Sequence, residues 1–207
     1  MTTRPESQKP PTLRELCHKD FAHDRGRFLA EYPRPALILP AFVESPTGDP
    51  DADTEELGPT AVFATARSEA GFKTFFNPDD EDESAVARSS RKRIASGEGV
   101  VFQLTKSGRN SFAEMITVGR ATNNDIVIPS GTVSKLHGYF MQAPGGTWRF
   151  CDTGSMNGVL VRGKRVTSRT TVDLEDGDEI LLGPDVPTVF RTPEGLFELL
   201  AKLRSLP

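Results

Sequence analysis

The sequence predicts a mainly β chain, a β-sandwich closed by a C-terminal helix and preceded by a small α/β or partly disordered N-terminal region. Three observations carry that reading. After Gly99 the chain breaks into short β-rich runs: Val100 to Leu104, Met115 to Val118, Ile126 to Ile128, Gly138 to Gln142, Trp148 to Asp152, Gly158 to Val161, Thr170 to Leu174, Glu179 to Leu182 and Thr188 to Arg191. Turn formers separate them, among them Ser107-Gly108, Pro129-Ser130-Gly131, Pro144-Gly145-Gly146, Gly163 and Asp176-Gly177. Short strands at regular spacing with turn signals between them favour two packed antiparallel sheets. No helical pattern interrupts the series, which argues against a parallel sheet with helical crossovers.

The elements follow in order. Residues 1–11 are polar and Pro-rich and read as a tail. Thr12-Leu13-Arg14-Glu15 has the form of a capping box. Leu13, Leu16, Cys17, Phe21 and Phe28 recur near helical spacing, so a helix is expected near 13–30, stopped by Pro33 and Pro35. Ala36 to Leu39 is a short apolar run between prolines, a strand or extended packing segment. An acidic loop, 44–56, follows, then two further strand candidates, Ala61 to Ala64 and Lys73 to Phe76. Asp79 to Glu83 is acidic and Arg88 to Arg93 basic; these opposed blocks, poor in apolar residues, make 79–96 read as a solvated charged linker. The organisation expected is therefore an N-terminal region, 1–96, of unassigned function and a sandwich with its helix, 97–207. At the end, Thr192 is a helix N-cap and Pro193 the first helical residue. Leu196, Leu199, Leu200 and Leu203 form the one apolar stripe of that helix.

Composition narrows the function. The 207 residues carry a net charge of -4. Residues 1–99 hold 13 Lys and Arg against 18 Asp and Glu, residues 100–207 hold 12 against 11. Neither half is a basic nucleic-acid surface, and the run Arg88 to Arg93 has no interleaved aromatics, so nucleic acid is not the expected partner. Two cysteines far apart, Cys17 and Cys151, have no metal-ligand spacing and read as reduced thiols of a cytoplasmic protein. There is no apolar signal region and no run long enough to span a bilayer, so no membrane role is expected. No cofactor or metal is expected.

The polar groups worth attention fall in the loops. A phosphate-reading site needs an Arg, whose planar fork suits phosphate oxygens, and neutral donors around it on a rigid frame. Arg120 follows Gly119 at the end of a strand. Ser134-Lys135-Leu136-His137 follows a turn, and Gly154-Ser155-Met156-Asn157-Gly158 is a Gly-rich turn between strands. The succession Gly119-Arg120, Asn123-Asn124-Asp125-Ile126, Ser134 with His137, Asp152 to Gly158, then Leu174, Asp176-Gly177-Asp178, Ile180 and Leu182-Gly183 resembles the successive signatures of the forkhead-associated (FHA) family. The match covers about half the chain, in order and spacing.

The resemblance implies a phosphothreonine-dependent interaction module, not an enzyme, with a phosphothreonine-containing protein as partner and a Ser/Thr protein kinase in the same pathway. It implies that Arg120 contacts the phosphate, that Ser134 donates its hydroxyl to it, that Lys135 adds a cation, and that Asn157 holds the peptide backbone. Gly119, His137 and Gly158 are implied as structural support. Two positions depart from the family pattern. Met156 stands where many members have threonine, and Arg162 stands where many have a second asparagine, which makes both possible groove contacts.

Other readings stay open at this level. Arg120 is also the residue type of a surface ion pair, Ser134 of a turn cap, Lys135 of a solvated charge and Asn157 of a hairpin turn. Ser134, His137 and Asp152 are the residue types of a hydrolase triad, but no nucleophile elbow surrounds the serine. Asp173 to Glu179 lacks calcium-loop spacing. A phosphate-independent scaffold with the same sandwich is the alternative function, favoured by Met156. Thr47 and Thr54, in the acidic loop, are candidate phosphorylation sites for binding in cis.

Overall fold

A computed structural model describes residues 10–40 and 85–205. The acidic loop, the strand candidates at 61–64 and 73–76, the acidic run 79–83, Thr47 and Thr54 lie outside the described residues.

Two sheets pack face to face. Strands β1 (Ala36–Leu39), β2 (Val100–Gln103), β7 (Val159–Val161), β8 (Lys164–Arg165), β10 (Glu179–Leu182) and β11 (Val186–Arg191) form a six-stranded sheet in the order β2-β1-β11-β10-β7-β8. Strands β3 (Ile116–Gly119), β4 (Ile126–Val127), β5 (Gly138–Gln142), β6 (Trp148–Asp152) and β9 (Thr171–Asp173) form the second, in the order β4-β3-β5-β6-β9. Among the described residues the strand pairings are antiparallel except β3 with β4. The expected sandwich is present, with a short β7–β8 hairpin in addition.

The sandwich takes a strand from the N-terminal region. β1 lies between β2 and β11, with Leu37 opposite both Phe102 and Phe190. Its alternation serves two cores, because successive side chains point to opposite faces. Leu37 and Leu39 enter the core between the sheets with Phe140, Phe150 and Phe190. Ala36 and Ile38 face outward into a second core, where Leu13, Leu16 and Phe28 meet Leu196 and Leu200 of the C-terminal helix. A helical layer thus covers the outer face of the six-stranded sheet. The ordered unit extends across the boundary expected at residue 96.

The helical layer departs from one expectation. In place of a single helix near 13–30 there are α1 (Leu13–Cys17), a 3-10 turn (Asp20–His23) and α2 (Arg25–Glu31). The expected capping box starts α1, with the Glu15 N–H donating to Thr12 Oγ1 at 3.1 Å and the Thr12 N–H to Glu15 Oε2 at 2.7 Å. The break has a local cause: Asp24 caps a new helix, accepting the Arg27 N–H at 2.8 Å, and Ser, Thr, Asp and Asn side chains compete with the ladder in this way.

The basic run is also not a solvated linker. It forms α3 (Ala85–Arg93), continued by a wider turn (Ile94–Glu98) that leads into β2. Arg91 reaches Glu179 on β10, Nε to Oε2 at 2.6 Å, a pairing across 88 residues that raises the Arg91 pKa mainly through that hydrogen bond. The last helix, α4 (Pro193–Arg204), starts as expected, with Thr192 Oγ1 accepting the Gly195 N–H at 3.1 Å and Pro193 in the first turn.

Candidate functional site

Three loops meet at one end of the sandwich: the β3–β4 turn with Arg120, the long β4–β5 connection with Ser134 and Lys135, and the β6–β7 turn with Asn157. Backbone bonds dock the first two. The Arg120 N–H donates to Ser134 O at 2.9 Å, the Ala121 N–H to Lys135 O at 3.1 Å and the His137 N–H to Val118 O at 2.9 Å. Gly119 makes this approach feasible. A Cβ built there falls 2.4 Å from Lys135 O and 2.9 Å from Asn124 Nδ2, closer than any side chain tolerates. Buried Asn124 then ties both loops, its Nδ2 donating to Ala121 O at 2.8 Å and Lys135 O at 2.7 Å.

The Arg120 guanidinium lies against the same connection, Nε to Val133 O at 3.4 Å. Ser134 is held from two sides. Its N–H donates to His137 Nδ1 at 3.0 Å, and its Oγ accepts the Met156 N–H at 3.0 Å. The accepted bond leaves the hydroxyl proton of Ser134 free to be donated elsewhere. Asn157 Nδ2 donates to Thr132 O at 2.8 Å, closing the third loop onto the second. Gly158 supports that closure with a φ of +74°, a conformation that disfavours side chains. Lys135 and Met156 are exposed, Met156 to 68%, so an apolar side chain stands at the mouth of the loop end.

His137 is the brace beneath. It is fully buried. Because Nδ1 accepts from a backbone N–H, the proton resides on Nε2, which faces Gly158 O at 3.3 Å. Burial pushes its pKa down to about 4, against the raising influence of nearby Asp152 and Gly158. Asp152, also buried, accepts the Ser155 N–H at 2.9 Å and the Gly154 N–H at 3.3 Å and so shapes the third loop. Ser134, His137 and Asp152 are therefore neighbours through backbone groups and are not chained side chain to side chain as a nucleophilic triad requires.

Sequence reasoning gave Asp125 no role. It organises the outer wall of the first loop. Its carboxylate accepts from Lys106 Nζ at 2.8 Å, from Ser107 N and Oγ at 2.8 and 2.7 Å, and from Thr117 N and Oγ1 at 2.9 and 3.0 Å. Burial pushes its pKa up, but these hydrogen bonds prevail and hold it well below the usual carboxylate range. Asn110 joins the cluster through Nδ2 to Asn123 O and Thr117 Oγ1, both at 3.0 Å. The cue in the sequence was the Asn123 to Ile126 signature; its partners, 8 to 19 residues away, had none.

Arg162 is not at this end. Val159 pairs with Leu182 beside the loops, Val161 with Ile180, and the Arg162 N–H then donates to Glu179 O at 3.0 Å. Strand β7 carries the chain to the opposite end of the sheet. There Arg162 Nη1 bonds Asp178 Oδ2 at 2.6 Å and steadies the turn before β10. The groove cation expected from the sequence is instead a hairpin clasp.

The family model for the FHA domain matches residues 116–183. Residues 116–183 are an FHA domain. The matched span runs from β3 to the Gly after β10, so all three loops of the FHA domain come from it. Over 68 residues the chain is 41% identical to the ABC transporter ATP-binding/permease protein Rv1747 of Mycobacterium tuberculosis, covering 33% of this chain and 7% of that protein. Mycobacterium tuberculosis EmbR, solved in complex with a low-affinity phosphopeptide, is 34% identical with a TM-score of 0.37, over 48% of this chain and 23% of that one. The FhaA FHA domain, solved with the intracellular domain of Rv3910, is 26% identical with a TM-score of 0.38, over 46% and 91%. The chain thus spans only a small part of the first two relatives.

Proposed function

We propose that this chain is a phosphothreonine-dependent protein interaction module that works in cytoplasmic Ser/Thr kinase signalling, without catalysing a reaction itself. The observation that carries this is the convergence of Arg120, Ser134, Lys135 and Asn157 on three loops locked by Gly119, Asn124 and His137. Arg120 supplies the planar charged donor, the Ser134 hydroxyl a neutral donor and Lys135 a mobile point charge; together they suit a phosphate with several acceptor oxygens. Asn157, with Nδ2 committed to Thr132 O, keeps its carbonyl for a peptide N–H. Met156 offers the threonine methyl an apolar neighbour. The preformed frame matters because ordering a loop at the moment of binding would weaken the complex.

The decisive experiment is a titration of matched peptides, one with phosphothreonine and one with threonine, against wild type and Arg120→Ala. Phosphate-dependent binding lost in the variant with an intact fold supports the module. Equal affinity for the two peptides returns the phosphate-independent scaffold.

A further inference from the structure

On the helical layer, behind the six-stranded sheet and away from the three loops, lies an open cavity of about 630 Å³. Its chemistry is one-sided. Arg14 and His18 from the α1 end, His23 from the 3-10 turn and Arg204 from the last turn of α4 line it, with Ser96 and Cys17 beside them and no carboxylate among the described residues that line it. The two arginines are under-used. Arg14 Nη2 donates to Ser96 O at 3.1 Å, and among the described residues neither Arg14 nor Arg204 has a carboxylate within ion-pair distance. Arg204 stacks 6.0 Å over Phe197, and its Nη1 is shielded from solvent with no hydrogen-bond acceptor. A buried guanidinium N–H without a partner is costly and calls for an acceptor that the described residues do not supply.

We propose that this cavity is a second anion site, separate from the peptide-binding end, for a small molecule carrying a pyrophosphate or phosphate monoester. Two guanidinium forks suit phosphate oxygens, the two imidazoles offer further ring N–H donors, and the volume exceeds what a bare phosphate fills. The Cys17 thiol faces the α4 backbone, Sγ to Leu200 O at 3.8 Å. Burial raises its pKa against the lowering influence of Arg204, so it stays a neutral wall that does not repel an anion.

The test uses the full chain and inorganic pyrophosphate, read by calorimetric titration and by NMR shifts of the His18 and His23 rings. Saturable binding is expected. Arg14→Gln together with Arg204→Gln is expected to weaken it by about tenfold or more, the scale of one lost charged hydrogen bond. Arg120→Ala is expected to leave it unchanged, and phosphothreonine peptide is expected not to compete. Should the double variant fold poorly, the exposed single changes His18→Gln and His23→Gln serve instead, each weakening binding with the melting temperature of the free chain unchanged. Pyrophosphate binding that follows Arg120, that ignores Arg14, His18, His23 and Arg204, or that fails to saturate overturns the proposal.

Discussion

Replacing His137 by Gln should remove a measurable share of the pH dependence of stability. In the folded chain the ring is buried and neutral, with a pKa near 4, while in the unfolded chain it returns to about 6.5. Between those values the unfolded state binds one proton more than the folded state. The stabilisation is therefore complete above pH 6.5, falls as pH drops from 6.5 towards 4, and is flat below. The gap of about 2.5 units at 1.36 kcal/mol each amounts to about 3 kcal/mol across the window. Gln can accept the Ser134 N–H and donate to Gly158 O but carries no titrating proton. Urea unfolding of both proteins at intervals from pH 4 to 7 isolates the effect as the difference between their slopes. Parallel wild-type and variant profiles would refute the buried ring whose pKa lies well below its unfolded value. The Asp125 carboxylate, held below the ordinary carboxylate range, begins to lose its contribution as the unfolded carboxylate protonates near pH 4, but it is the same in both proteins and cancels in the difference between their slopes.

Other outcomes follow from the same geometry. Arg120→Lys should restore only part of the phosphopeptide affinity lost in Arg120→Ala, because a point charge cannot donate as a fork; titration of the three proteins gives the order. Gly119→Ala should cost about 1–3 kcal/mol in thermal or urea unfolding, since its Cβ meets the Lys135 carbonyl; unchanged stability would mean that the two loops are not in contact there. A fragment of residues 97–207 should fail to fold or should aggregate, because it lacks β1, loses fully buried Leu37 and Leu39, and leaves β2 and β11 without their shared partner; a well-dispersed NMR spectrum of that fragment would show otherwise. One outcome rests on the sequence alone, since Thr54 lies outside the described residues: kinase treatment of the full chain should phosphorylate Thr54 and weaken peptide binding in trans, with Thr54→Ala restoring it, and mass spectrometry that finds Thr54 unmodified ends that idea.

Much of the sandwich was legible because alternation and turn chemistry are local. Strands such as Gly138–Gln142 and Trp148–Asp152 sit where the sequence places them, and the Thr192-Pro193 start of α4 is read from two adjacent residues. What escaped depends on distant partners. Ala36 to Leu39 has the texture of a strand, but nothing local says that it pairs with both Val100–Gln103 and Val186–Arg191. Arg91 looks like one charge in a solvated run until Glu179, 88 residues on, accepts it. The same holds at the candidate site. Arg120, Ser134 and Asn157 stood out by residue type and order, whereas the roles of Asn124 and Asp125 rest on which backbone groups pass beside them. Arg162 was misplaced because an apparent neighbour of Asn157 in sequence lies a full strand away in space.

The two-sided burial of β1 has a consequence for how signals cross the molecule. One face of this strand is locked into the inter-sheet core and the other into the helical layer, so the two layers have little freedom to open independently. Ligand bound to either side then draws on a common folding equilibrium, by mass action and without any change of shape. Occupancy of the loop end should slow amide exchange in α1 and α4, and occupancy of the cavity should slow it around Ser134 and Asn157, each in proportion to the free energy of binding where exchange proceeds through global unfolding.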